Sequence, residues 1–386
     1  MKIYRGRLAA VAAIILLIAM AAIALGCQQP ETPAAQTPAA TARAATSAGP
    51  EIQTIEATIN SPEKAKAEAT SDAIAFAWNL FMFNNWPALT TSKGQPDSRK
   101  SFGAPGPVVW QTYKTSQDMY VVSGQPLPWN QGPIVEPPAL QSGMIDGKIL
   151  TDRNGNPVMY EVRLSEDTYN YILGRGLYTQ AGQLQLLKGG PPVTFPLPSM
   201  EIKAAWRFLG KGDDPTHYFT TKVQDGGVVR ILGLSGLHIT SKALPQWVWC
   251  TFEQIENLQT TGARLLLPIA AAVQQSNKAM QSGFAGTPWA YYQLDGVQTE
   301  YVQNPDAAAC LRDPKVTCLA NTQIETNFQG SSSCITCHSL ASIGPNGRRF
   351  NLWSFRGGNQ QGHMGDPPPL KPDVGLDFVW SMREAH

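Results

Sequence analysis

Charge of either sign is scarce in this chain: only 15% of its 386 residues are charged, and the formal net charge is +1. That balance removes the electrostatic case for nucleic acid or an acidic surface as partner. No glycine-rich phosphate loop, no βαβ rhythm and no internal repeat can be read along it, which argues against nucleotide-binding and solenoid architectures. The chain has five histidines and six cysteines. Outside one short cluster, none of them form pairs at zinc-like spacing.

Apolar residues make up 43% of the chain, which suits a folded protein rather than a disordered one. Ten Trp, 30 Pro and 34 Gly suggest long irregular loops around an aromatic-rich core. The N-terminus reads as an export signal: Lys2, Arg5 and Arg7 precede an uncharged run from Leu8 to Leu25, followed by Gly26-Cys27. Ala24-Leu25-Gly26-Cys27 resembles a bacterial lipobox with Ala24 at the usual leucine position, making residues 1–26 a lipoprotein signal peptide and Cys27 the lipid-modified residue. A run of this length can also span a bilayer uncleaved. Either way the body lies on the far side of the membrane and is tethered to it, periplasmic or otherwise extracytoplasmic.

Residues 27–58, rich in Ala, Thr, Pro and Gln, are expected to be a disordered tether. That leaves about 320 residues for the folded body. Ser61-Pro62-Glu63 is a helix start, with Ser61 as cap and Pro62 at the first position. Ala73, Phe76, Ala77 and Leu80 continue at helical spacing, and the helix should stop before Pro87. Val108–Tyr113 and Val158–Leu164 are expected strands, and Asn154-Gly155 is a turn. Val228–Ile239 reads as one strand or two, broken at Gly233 and Gly236, with Trp247-Val248-Trp249 following. Thr261–Met280 is an expected helix that Pro268 kinks or starts late. The expected fold is α+β: a mixed, loop-rich body over 59–305 and a mainly helical or irregular segment over 306–386.

That last segment holds the chemistry. Cys334-Ile335-Thr336-Cys337-His338 is C-x-x-C-H, the attachment signature of c-type haem. Thiols three residues apart on one helical turn both reach the vinyl groups on one porphyrin edge, and the adjacent His338 then meets the iron. A thioredoxin-like redox pair would need a surrounding βαβ pattern, and structural zinc would need two more ligands. Export favours haem, which is attached after translocation. One covalent haem c is therefore the expected cofactor, bound by Cys334, Cys337 and His338.

Met364, in Gly362-His363-Met364-Gly365-Asp366-Pro367, is the first choice for the second iron ligand. Met382, His363, a residue of the large body such as His238, and a vacant or water-bound position are the alternatives. The Pro345 carbonyl is a candidate acceptor for the His338 Nδ1–H, and equally a plain turn residue. Arg348 and Arg349 are candidates for the haem propionates, against the plainer reading as solvated surface arginines. Among the other cysteines, Cys310 and Cys318 flank a polar loop and are expected to pair in an oxidising compartment, leaving Cys250 as a buried thiol. His217 and His238 have no partner visible by spacing, and a structural role is their default.

The chain resembles bacterial cytochrome c family lipoproteins that carry a single C-x-x-C-H near the C-terminus. The resemblance runs through Asn79-Leu80-Phe81 with Asn85-Trp86-Pro87, Val109-Trp110-Gln111-Thr112, Gly236-Leu237-His238-Ile239, Trp247 to Glu253 and Asp377-Phe378-Val379-Trp380-Ser381. The family pattern continues with His-Val-Asp-Asn where this chain has Gln254-Ile255-Glu256-Asn257. What it implies is an exported haem protein with no known substrate. Electron transfer between periplasmic or membrane redox partners is the leading expectation. The alternative is a haem enzyme or small-molecule-binding haem protein with an open iron, with His238 or Glu253 as acid–base group.

Overall fold

The computed structural model describes residues 48–142, 144–145, 148–152, 154–259, 267–300, 319–325, 329, 332–349 and 372–386. Cys27, Cys310, Cys318, His363 and Met364 lie outside them, so the lipid site, the expected disulfide and the first-choice iron ligand are not described. The fold is α+β, with antiparallel pairing throughout the main sheet.

Helix begins earlier than expected. Residues Ala48–Ile59 form α1, all but its last residue in the stretch read as tether. Ile52, Ile55 and Ile59 recur at helical spacing and are buried, a short apolar stripe masked by the polar composition around it. α2 (Pro62–Ser71) starts as expected, with the Ser61 side chain accepting from Lys64 N and Pro62 in the first turn. The anticipated continuous helix is broken at Asp72, whose side chain caps α3 (Ala73–Asn84) by accepting from Ala75 N at 3.0 Å. α3 stops before Pro87 as expected.

Six strands build the sheet's main body: β1 (Met159–Leu164), β2 (Met200–Phe208), β3 (Thr220–Asp225), β4 (Val228–Ser241), β5 (Val248–Gln254) and β6 (Tyr292–Gln298). Their order is β1-β2-β4-β5-β6, with β3 paired to the first half of β4. β4 runs unbroken through Gly233 and Gly236. The expected strand over Val108–Tyr113 is instead a 3-10 turn, Val109–Thr112. Thr112 Oγ1 donates to Val109 O at 2.6 Å and Val108 N donates to Gln111 Oε1 at 3.1 Å, local bonds that compete with a ladder. The later helix starts after Pro268, over Ala271–Gly283 (α4).

The register divides the sheet into two faces. Ile202, Ile239 and Cys250 lie in line across β2, β4 and β5, as do Ala204, Leu237 and Phe252. This apolar face meets α3, with Phe81 and Phe252 ring centroids 4.5 Å apart. The opposite face is polar: Glu201, Thr240 and Trp249 form one row, and Lys203, His238 and Thr251 the next. This face is covered by the C-terminal part of the chain. The described residues from 48 to 386 belong to one compact unit.

Candidate functional site

Cys334–Ser339 is a helix, α5, so the two thiols and the imidazole sit on successive turns of one short element. The sheet holds its N-terminus. Gln298 of β6 accepts from Ile335 N at 3.0 Å through Oε1 and donates to Ser333 Oγ at 3.1 Å through Nε2. The lead-in is pinned as well: Asn321 Nδ2 donates to Phe252 O at 2.9 Å, and Tyr160 OH donates to Gln323 O at 2.5 Å. Gly236 is needed here, because a Cβ on it would stand 2.9 Å from Asn321 Oδ1. What read as a strand breaker is a place where the Asn321 side chain of another segment comes close.

His338 is held from the other side. Its Nδ1 lies 2.8 Å from the Phe378 carbonyl, so that nitrogen is the donor and Nε2 is left with a lone pair. Pro345 takes the other role considered for it, that of a turn residue: its carbonyl accepts from Arg348 N at 3.3 Å within its own turn. The Phe378 carbonyl is presented by two successive non-glycine residues in the left-handed region, Asp377 at φ 48° and Phe378 at φ 71°. Such backbone persists only where its surroundings over-determine it. Asp377 supplies that: Lys242 Nζ sits 2.6 Å from its Oδ1 and Phe195 N donates to its Oδ2 at 2.8 Å. Trp380 Nε1 donates to Cys337 O at 2.9 Å, and the Trp249 ring lies 4.3 Å from the His338 ring, centroid to centroid.

Cys334, Cys337 and His338 border a cavity of about 560 Å³ on the polar face of the sheet, within the roughly 300–1,000 Å³ of cofactor pockets. Tyr160, Lys203, His238 and Glu325 also line it, as do Glu201 and Arg383. Burial pushes the His338 imidazole down to about 3, with Lys203 and His238 adding to the effect against the Phe378 hydrogen bond. The ring is therefore neutral at ordinary pH, the form a metal ligand takes. Burial lowers Lys203, opposed by Glu325 and Glu384. Burial raises Glu201 to about 7 despite the Ser381 hydroxyl that donates to it at 2.5 Å. Glu325 is lowered: burial works the other way, but His238, the Asn321 N–H and Lys203 outweigh it.

The donor set fits a c-type haem. Cys334 and Cys337 are thiols, not a disulfide, and a half-buried His338 has its orienting hydrogen bond made on the nitrogen an iron would not use. Among the described residues, no group of three or more His, Cys, Asp or Glu is arranged to hold a metal ion by itself. Other expected site residues are elsewhere. Arg348 pairs with Asp373 and Arg349 donates to Gln183, and of these arginines and Arg383 only Arg383 lines the cavity. Met382 is fully buried. Glu253 is buried away from the cavity and accepts from the Thr322 hydroxyl and N–H. His217 contacts Glu256 at 2.5 Å and stacks on Tyr291, a structural role. Cys250 is a buried thiol, raised by burial. Lys203, Glu325, Lys242 and the Phe378 carbonyl were not anticipated. The one trace of the last was the Asp377-Phe378-Val379-Trp380-Ser381 run, whose Asp377, Phe378, Trp380 and Ser381 make contacts described above.

None of the protein-family models, curated proteins or solved structures compared with the chain matches it.

Proposed function

We propose that this chain is an exported, membrane-tethered monohaem c-type cytochrome that passes electrons between periplasmic or membrane redox partners. The observation that carries the reading is the turn Cys334–His338 bordering a cofactor-sized cavity, with the His338 Nδ1 held on the Phe378 carbonyl. Bound there, haem c supplies one-electron Fe(II)/Fe(III) cycling. The chain's own part is to fix the imidazole through Phe378, to keep it neutral by burial, and to hold the thiol-bearing helix on Gln298 and Trp380. Membership of the bacterial cytochrome c family lipoproteins belongs to the same proposal and rests on the sequence motifs. A lipid on Cys27 provides the tether.

Haem-peroxidase staining of a denaturing gel tests the core of this reading. The full-length protein from a host with haem-attachment machinery should stain at its own mass, and Cys334→Ala or Cys337→Ala should lose the stain. A clean apo mass from that host would sink it. Palmitate labelling that vanishes in Cys27→Ser supports the lipid, whereas an unlabelled protein retaining its N-terminal peptide points to an uncleaved span. A second reading, small-molecule chemistry at an open iron, is favoured by the ionisable His238 and Glu325 in the cavity wall. Rapid CO binding by the reduced protein would select it.

A further inference from the structure

We infer that His238 supplies the second axial ligand to the iron, in place of Met364; the inference rests on the haem reading above. His238 lies on β4, hydrogen-bonded on both sides by β2 and β5. Its neighbours in register are Lys203 and Thr251, so its side chain is fixed to the polar face that the cavity opens on. It shares the cavity wall with Cys334, Cys337 and His338. A central strand places a ligand more rigidly than a loop does.

The immediate surroundings of the ring point the same way. Glu325 Oε2 stands 3.4 Å from His238 Nε2, and the carboxylate is itself held by Asn321 N at 2.7 Å. A carboxylate beside one ring nitrogen is the arrangement that orients metal-bound imidazoles. Nε2 is turned to that carboxylate at ion-pair distance, and Nδ1 makes no hydrogen bond among the described residues. One ring nitrogen is thus oriented by Glu325 while the other is left for a group in the cavity.

Lys203 is the competing donor in the same wall. Burial favours its free amine, the form a ligand must take, but Glu325, Glu384 and the Tyr160 ring, whose centroid lies 5.3 Å from Nζ, favour the charged form, so the comparison is left to the Lys203→Ala variant below. In its charged form it suits a carboxylate partner such as a haem propionate. An iron held between two imidazoles is low-spin with both positions filled, which fits electron transfer and lowers the potential relative to methionine ligation.

The haem stain of the full-length protein is done first, because its failure removes the haem proposal rather than this one. On stained protein, the ferric form should be low-spin by electron paramagnetic resonance and should lack the weak near-infrared band of methionine ligation. His238→Ala should keep the covalent haem, turn high-spin and bind CO rapidly once reduced, and added imidazole should restore the low-spin signal. His238→Met should stay low-spin and gain the methionine band, which guards against a misfolded alanine variant. Lys203→Ala should leave the spin state unchanged. A wild-type methionine band that disappears in Met364→Ala overturns the inference. So does a high-spin wild type, a low-spin signal that survives His238→Ala, or loss of that signal in Lys203→Ala.

Discussion

Lys242→Met isolates the device that presents the Phe378 carbonyl to His338. The Lys242 ammonium lies 2.6 Å from Asp377 Oδ1 and 2.7 Å from the Pro245 carbonyl, with side chains only 6% and 9% exposed in the Lys242–Asp377 pair. Removing one partner of a buried ion pair leaves the other charge unpaired, at about 3–5 kcal/mol. Asp377 is already raised by burial, with Lys242 opposing that rise, so without the lysine it takes up a proton more readily and the loss falls to about 3 kcal/mol. Asp377→Asn in the same background removes the orphan charge, and asparagine tolerates the left-handed φ of 48°. The double variant should therefore regain about 1–2 kcal/mol over Lys242→Met. Urea melts read this as a lower midpoint for the single variant and partial recovery for the double, with the slope unchanged. A loss under about 1 kcal/mol, or no recovery, would refute the claim that this pair holds the strained turn. In haem-loaded protein, a loosened Phe378 acceptor makes the imidazole less basic, so the midpoint potential should rise in Lys242→Met.

Three other perturbations follow from the same geometry. Glu201 is raised from 4.5 to about 7, so the folded chain holds a proton that the unfolded chain has lost between those values; stability should fall as pH rises from about 4.5 to about 7 and stay level above. Glu201→Gln, which can still accept from Ser381, should flatten that slope and gain up to about 3 kcal/mol at pH 8, and equal pH profiles for the two proteins would contradict the assignment. Gly236→Ala puts a methyl 2.9 Å from Asn321 Oδ1, in a side chain whose Nδ2 donates to Thr251 Oγ1 and Phe252 O, and should cost about 1–3 kcal/mol in a urea melt. Non-reducing peptide mapping should return a Cys310–Cys318 linkage and an unlinked Cys250, since Cys250 sits fully enclosed on the apolar face; a linkage through Cys250 would be inconsistent with that position.

Much of the scaffold was legible because local chemistry decides it. Ser61-Pro62 is a cap that works by itself, and the turn at Asn154-Gly155 needs only the left-handed φ of 77° at Gly155. Val109–Thr112 misled because a four-residue apolar run fits a strand and a tight turn equally, and here side-chain bonds decide. The split at Asp72 was hidden because the apolar spacing continues across it. At the site, Cys334, Cys337 and His338 were readable as a motif, but the acceptor that orients His338 is a backbone carbonyl, which no residue letter announces. The alternation in Ile202-Lys203-Ala204 and Leu237-His238-Ile239 does place Lys203 and His238 on the face away from the apolar core. It cannot say that this polar face is buried, because the cover comes from residues far along the chain.

That cover explains the large body. A monohaem carrier can be built in about 80–100 residues, since one small core is enough to bury a haem edge. Among its described residues, the C-terminal segment here shows no such core of its own. Its described secondary structure is α5, a two-residue strand pair and short 3-10 turns. Its order comes from the sheet: Gln298 fixes the start of α5, Trp249 lies against His338, Tyr160 and Phe252 fix the lead-in, and Lys242 fixes the turn that carries Phe378. These anchors come from β1, β5, β6 and the connection after β4. A fragment cut near residue 306 would lose all of them at once while exposing Lys203, His238 and Thr251 on the sheet it left behind. The body is thus the other half of the site's wall, and a role for it separate from the C-x-x-C-H segment is not needed to account for its size.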